Sequence, residues 1–263
     1  MMIISTGEGL DILGDGHGCL KERIDLLKQA GYIKGEDGLY RHPKGRKLVY
    51  LNDEANKGYS KDERILYGEF PSIAMMQMMK QHVEEGLAYA VTSNNNEKIC
   101  KYLDSSIINT DHLEAMDFAI EMNQFEIKYG AKEREKLGNE LYLFCKSLPS
   151  YIIVENEQGE TSAVITHAGI LDDMIGKDSA DIRKFCAWGG TAANIKNWVE
   201  LHKYEFPIIW GHKPQREPKI QNNTINIDTG GYFGNYLTML RFPEMNFIKQ
   251  KVETSYETYE DEE

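Results

Sequence analysis

The stretch Leu10-Asp11-Ile12-Leu13-Gly14-Asp15-Gly16-His17-Gly18 decides how the rest of the chain is read. A brief apolar run, Leu10–Leu13, ends in a glycine-rich loop. A helical pattern then covers Leu20–Ala30, with Ile24, Leu26 and Leu27 on one face. Strand, glycine-rich loop and helix in that order belong to an α/β sheet. Asp15 and His17 therefore stand just beyond a strand end, at the sheet edge where ligands bind.

The same punctuation recurs along the chain. Tyr40–Arg41 leads through Gly45 to a strand over Lys47–Leu51, which stops at Asn52-Asp53. Leu87–Val91 is a third strand, ending in Ser93-Asn94-Asn95-Asn96. Tyr151–Val154, the turn Asn156–Gly159 and Ala163–Thr166 form a hairpin, with His167 directly behind it. Phe206–Trp210 precedes Gly211-His212. Thr224–Ile227 and Leu237–Phe242 bracket the turn-rich link Asp228-Thr229-Gly230-Gly231. Ile73–Val83 is helical, and its methionines read as adaptable core filling. Residues 99–148 are mostly helical and charged, with breaks at Asn109-Thr110-Asp111 and Gly130, and form an insert covering one side of the sheet. The residues before Leu10 read as a short polar arm, and His42, His82 and His202 as surface histidines. The expected organisation is one domain over residues 1–252 and a frayed acidic tail over 253–263.

With 263 residues and 41% hydrophobic content, the chain can bury one substantial core. A net charge of −12 argues against a broad nucleic-acid surface or binding to an anionic membrane. It leaves a phosphorylated substrate open, because a divalent cation inverts the local field. Cys19, Cys100, Cys145 and Cys186 are widely spaced, which suits reduced thiols. No apolar stretch approaches ~18 residues, and Met1–Gly9 lacks a leader pattern. The expected location is the cytoplasm.

Asp15, His17, Asp53, Asn94, His167 and His212 follow five separate apolar runs. Singly, each has an ordinary reading as a turn, a cap or a satisfied histidine. Together, carboxylate, imidazole and amide oxygen suit Mn²⁺, Fe²⁺ or Zn²⁺ better than Ca²⁺. The absence of cysteine from the set argues against a structural zinc site.

These segments resemble the motifs of calcineurin-like metallophosphoesterases: Gly14–Gly18, Asp53 within Asn52-Asp53-Glu54-Ala55-Asn56-Lys57-Gly58, Asn94, Thr166-His167-Ala168-Gly169 and Gly211-His212. The run from Asn223 to Gly230, Phe233-Gly234-Asn235, and Leu240-Arg241-Phe242-Pro243-Glu244 resemble one bacterial branch in particular. That branch holds the PrpE-type diadenosine tetraphosphatases and the phosphatase domain of bacterial polynucleotide kinase-phosphatase. The likeness spans Leu10 to Glu244. It implies an α/β metallophosphoesterase sandwich of two mixed sheets flanked by helices, with the helical insert around 99–148. It also implies two divalent metal ions, Mn²⁺ foremost, with Fe²⁺, Ni²⁺ or Zn²⁺ as alternatives. Asp15 and His17 would bind the first, Asp53 would bridge both, and Asn94, His167 and His212 would bind the second. Such a pair clamps phosphoryl oxygens during in-line attack. Arg183 and Arg216 correspond to basic residues near the branch's substrate entrance, although an ordinary surface charge explains them equally well. Asn197-Trp198 also matches. The implied activity is hydrolysis of a phosphorylated small molecule, nucleotide-like, or of a nucleic-acid end.

Several positions depart from the family's pattern. The second motif ordinarily reads Gly-Asp-x-x-Asp-Arg-Gly; here its second aspartate is Asn56 and its arginine Lys57, which lacks the planar fork that grips phosphate. The histidine proposed to protonate the leaving oxygen is Asn95, and a cysteine of the branch is Gly231. His112, in the helical insert, is a candidate for a displaced acid. Loss of a general acid slows esters with poor leaving groups by ~10²–10⁴-fold and affects anhydrides less. The alternative reading is a phosphate-binding protein with little turnover, built on the same scaffold.

Overall fold

Period-two alternation along the strands builds a layered sandwich. The computed structural model describes residues 1–55, 70–104, 116–193, 195 and 197–253. One mixed sheet has the order β1 (Met2–Ser5), β7 (Tyr151–Glu155), β8 (Thr161–Thr166), β9 (Ile208–Trp210), β11 (Thr224–Asn226), β10 (Lys219–Gln221). The other runs β13 (Asn246–Lys251), β12 (Tyr236–Phe242), β2 (Leu10–Leu13), β5 (Lys47–Tyr50), β6 (Ala88–Ala90). A small ribbon pairs β3 (Ile33–Lys34) with β4 (Tyr40–Arg41). Ile12, Val49 and Leu240 of one sheet meet Ile152, Ile165 and Ile209 of the other in the layer between them.

The neighbouring residues face outward. Leu13, Leu48, Tyr50 and Met239 pack on α1 (Leu20–Gln29), α2 (Pro71–Glu84), α4 (Met116–Tyr129) and α5 (Ala131–Ser147). On the far side, Tyr151, Ile153 and Ile208 cover Ile182, Phe185 and Cys186 of α6 (Ala180–Trp188). Strands covered on both faces need apolar residues at successive positions, hence the unbroken runs in the sequence. Met75, Met76 and Met79 of α2 are buried as filling. Pro71 opens that helix, and the Ser72 and Ile73 N–H groups donate to Glu121 on α4 at 3.1 and 3.0 Å.

Some expectations are corrected. The supposed polar arm holds β1, which pairs in parallel with β7 and sends Ile4 into the inter-sheet layer. Thr224–Asn226 and Tyr236–Phe242 bracket the Asp228–Gly231 link as expected, and because they lie in different sheets the link crosses between them. His82 and His202 are buried, not surface residues. Tyr40 N–H donates to His82 Nε2 at 3.0 Å, and Tyr50 Oη lies 2.8 Å from its Nδ1. His202 lies between Asp172 Oδ1 at 2.6 Å and Phe206 O at 2.9 Å.

The Leu240–Glu244 run braces the edge opposite the donor-bearing strand ends. Asp11, fully buried, accepts from Arg46 Nε at 2.9 Å and from Arg241 Nε at 3.0 Å; Arg46 also grips Glu244. Gly231 has a packing reason, since a Cβ there would meet Leu237 Cδ2 at 2.5 Å.

Candidate metal centre

Each donor sits where a strand ends and the backbone turns sharply. His17 follows β2, Asn52-Asp53 follow β5, His167 follows β8 and His212 follows β9. Asn94 opens α3 (Asn94–Leu103), whose cap is Ser93, accepting from Asn96 N–H at 3.2 Å. His17, Asn52, Asp53 and His212 all have positive φ (44°, 85°, 52° and 72°). Non-glycine residues adopt that conformation uncommonly, asparagine, aspartate and histidine most readily, and strained positions of this kind gather at functional sites as well as in turns. Asn52 is enforced by its side chain, whose Nδ2 donates to Val91 O at 2.7 Å.

The turns converge two groups of donors on one carboxylate. Ligand atoms of Asp15, His17 and Asp53 lie within 4.8 Å of one another, and so do those of Asp53, His167 and His212. His167 Nε2 lies 2.9 Å from Asn94 Oδ1 and 3.6 Å from Asp53 Oδ2. The His167 and His212 rings stand 5.0 Å apart. His212 N–H donates to Asp15 Oδ2 at 3.1 Å, and Asn95 N–H to Asp53 Oδ1 at 3.3 Å.

The electrostatics fit a cation. Leu51 O, 3.0 Å from His167 Nδ1, can only accept, so Nδ1 carries the proton and Nε2 presents its lone pair. Burial holds both rings neutral, pushing the His167 and His212 pKa values down to about 3; the nearby His167 adds to the effect on His212. Lone pairs of His167 and Asn94 and the Asp53 carboxylate thus face one another without a shared proton. In the other group, burial first, then Asp228 and Asp53, push the Asp15 carboxyl well above its ordinary range. Asp15 Oδ1 is buried without a hydrogen-bond partner among the described residues. Crowded acceptors of this kind fit divalent cations: Asp15, His17 and Asp53 could hold one, and Asp53, Asn94, His167 and His212 a second.

The remaining candidates differ in their surroundings. Asn95 is buried, and its side-chain amide donates to Ala55 O at 3.4 Å. Arg183 spends its guanidinium on Leu148 O at 2.8 Å and Thr92 Oγ1 at 3.0 Å. Arg216 is exposed, and its backbone carbonyl accepts from Asn235 Nδ2 at 2.8 Å. Asn56, Lys57, His112 and residues 254–263 lie outside the described residues.

Five residues near the centre escaped the sequence reading. Asp228 raises the pKa of Asp15 and follows β11, so the strand-end rule that found the other donors applies to it as well. Glu54 and Arg23 form a fully buried ion pair beside Asp53, which no local signal announces. Lys98 and Lys213 both act electrostatically on His212. Lys98 Nζ lies 5.4 Å from the centre of the Trp188 ring.

No family model matches the chain. The bis(5'-nucleosyl)-tetraphosphatase PrpE (asymmetrical) of Oceanobacillus iheyensis is 29% identical over 248 residues, covering 91% of this chain and 90% of its own. Its counterpart in Anoxybacillus flavithermus is 30% identical over 247 residues, covering 90% of this chain and 92% of its own. Among solved structures, a crystal structure provisionally assigned as a diadenosine tetraphosphatase matches with a TM-score of 0.61 at 18% identity. It covers 95% of this chain and 96% of that one. The fold is the metallophosphoesterase sandwich expected from the sequence.

Proposed function

The chain belongs to the family of PrpE bis(5'-nucleosyl)-tetraphosphatases, and we propose that it hydrolyses a nucleotide polyphosphate at a two-cation centre built on Asp53. As a family member it is a hydrolase of phosphoric esters or anhydrides that depends on divalent metal. One observation carries the finer reading: two groups of donors, Asp15/His17 and His167/His212, share the single carboxylate of Asp53. Asn94 completes the second group. Two cations bound there, Mn²⁺ foremost, would polarise phosphoryl oxygens and lower the pKa of an attacking water.

The chain's own groups favour an anhydride over a nucleic-acid-end ester. The Asn95 amide is too weak an acid to protonate a leaving group, and its Nδ2 is directed at Ala55 O. A leaving alkoxide needs a proton, whereas a leaving polyphosphate departs as a stable anion. Lys98 and Lys213 supply positive charge around His212, where such an anion would be held. Leu51 O keeps His167 in the tautomer that offers Nε2, and Asn95 N–H supports the Asp53 carboxylate from a helix N-terminus.

The test is to add Mn²⁺ to metal-stripped protein and follow hydrolysis of diadenosine tetraphosphate and p-nitrophenyl phosphate, with Asp53→Asn as control. Turnover of the tetraphosphate that requires both Mn²⁺ and Asp53 is expected. Metal binding without turnover of either compound would favour the phosphate-binding reading, which the Asn95 amide otherwise motivates.

A further inference from the structure

We propose that Arg23 and Glu54 are a positioning pair that sets the spacing of the Asp15 and Asp53 loops, and through it the affinity of one of the two cations. The inference rests on the two-cation reading above.

Neither side chain reaches solvent. Arg23, on α1, donates through Nη2 to Glu54 Oε1 at 2.6 Å and through Nε to Oε2 at 3.2 Å. The same Nη2 donates to Gly14 O at 2.7 Å. One planar guanidinium therefore holds the residue before Asp15 and the residue after Asp53 in a fixed relation. Backbone bonds run alongside: Gly16 and His17 N–H donate to Asp53 O at 3.1 and 2.7 Å, and Gly18 N–H to Glu54 O at 2.9 Å. The space is closed, since a Cβ on Gly16 would lie 2.7 Å from both Arg23 Nη2 and Glu54 Oε2.

Stability alone is a poor reason for two fully buried charges, because apolar residues of similar volume are often as stable or more so. What a forked ion pair adds is a defined distance and angle. The residues next to the two gripped positions are Asp15 and Asp53, both in the first donor group with His17. Partners that orient metal-binding side chains typically change metal affinity by roughly 10–100-fold when removed.

The experiment titrates metal-stripped full-length chain with Mn²⁺ and follows the free aquo ion by electron paramagnetic resonance, with metal-free thermal melts alongside. Wild type is compared with Arg23→Lys, which keeps the charge without the fork, and with the double variant Arg23→Met/Glu54→Met, which removes both charges. The expected result is cooperative melting in both variants, one Mn²⁺ bound as in wild type and the other roughly 10–100-fold more weakly. Two wild-type affinities in the folded double variant would reduce the pair to packing and overturn the proposal. If the double variant does not fold, Arg23→Lys decides alone, and wild-type affinities there overturn it too. A wild type that binds fewer than two Mn²⁺ would instead refute the two-cation reading.

Discussion

Gly211→Ala separates the candidate metal centre from the fold with a single methyl group. A Cβ at position 211 would lie 2.5 Å from Asp15 Oδ1, whereas ordinary contact begins at 3.4 Å, so the carboxylate must retreat by about 0.9 Å. Its freedom to do so is limited, because Asp15 Oδ2 already accepts from His212 N–H, one residue along. The oxygen that moves is the one without a hydrogen-bond partner among the described residues, the atom best placed to bind a cation. Misplacement of about 1 Å can lower a rate roughly 100-fold, equivalent to about 2.7 kcal/mol of transition-state stabilisation. Gly211 lacks a positive φ, so its backbone accepts alanine, and restriction of the unfolded chain, worth about 0.4–1 kcal/mol, offsets part of the cost of displacing Asp15. The expected signature is a metal-free Tm close to wild type, with kcat/KM for a Mn²⁺-dependent substrate down about 100-fold. Wild-type turnover and Mn²⁺ affinity in a folded Gly211→Ala protein would refute the assignment of Asp15 Oδ1 to the centre.

Three further outcomes follow from other parts of the molecule. Asp11→Ala leaves Arg46 and Arg241 without their buried counter-charge and should cost about 3–5 kcal/mol in urea unfolding, with the Asp15 and Asp53 loops otherwise untouched. His82, ordinarily near 6.5, is pushed down to about 4, first by burial. Its folded pKa is depressed, so its contribution is fully present above pH 6.5 and is lost as pH falls through about 4. The amount is on the order of 3 kcal/mol. His82→Gln should flatten the dependence of metal-free stability on pH across that window; an unchanged slope would show that another group is responsible. Lys98→Met and Lys213→Met should each raise KM for a polyphosphate at low salt, an effect that fades as ionic strength approaches about 1 M. KM values equal to wild type at low salt would remove both lysines from substrate binding.

Much of the centre was legible because its signals are local. An apolar run followed by a small polar turn and a donor can be read within ten residues, as at Leu10–Gly18 or Ile208–His212. Repetition of that pattern at five strand ends singled out Asp15, His17, Asp53, Asn94, His167 and His212, which the structure divides between the strand ends of two sheets. Asp228 obeys the same rule and was missed because the turn residues around it drew the reading toward a link between strands.

The amino-acid sequence by itself determined the alternation of strands and helices, the donor types and their order along the chain. The resemblance implied which donors gather on Asp53, and the tertiary structure brings Asp15 with His17, and His167 with His212, to it. Tertiary structure alone decided that Met2–Ser5 joins a sheet, that His82 and His202 are buried, and that Arg23 reaches Glu54. Apolar periodicity and turn chemistry act between near neighbours and leave their mark in composition. Asp15 meets His212 across 197 positions of sequence, and Arg46 meets Glu244 across 198. The first contact is set by how the two sheets stack and the second by strand order within one sheet, and a single chain's local pattern carries no record of either.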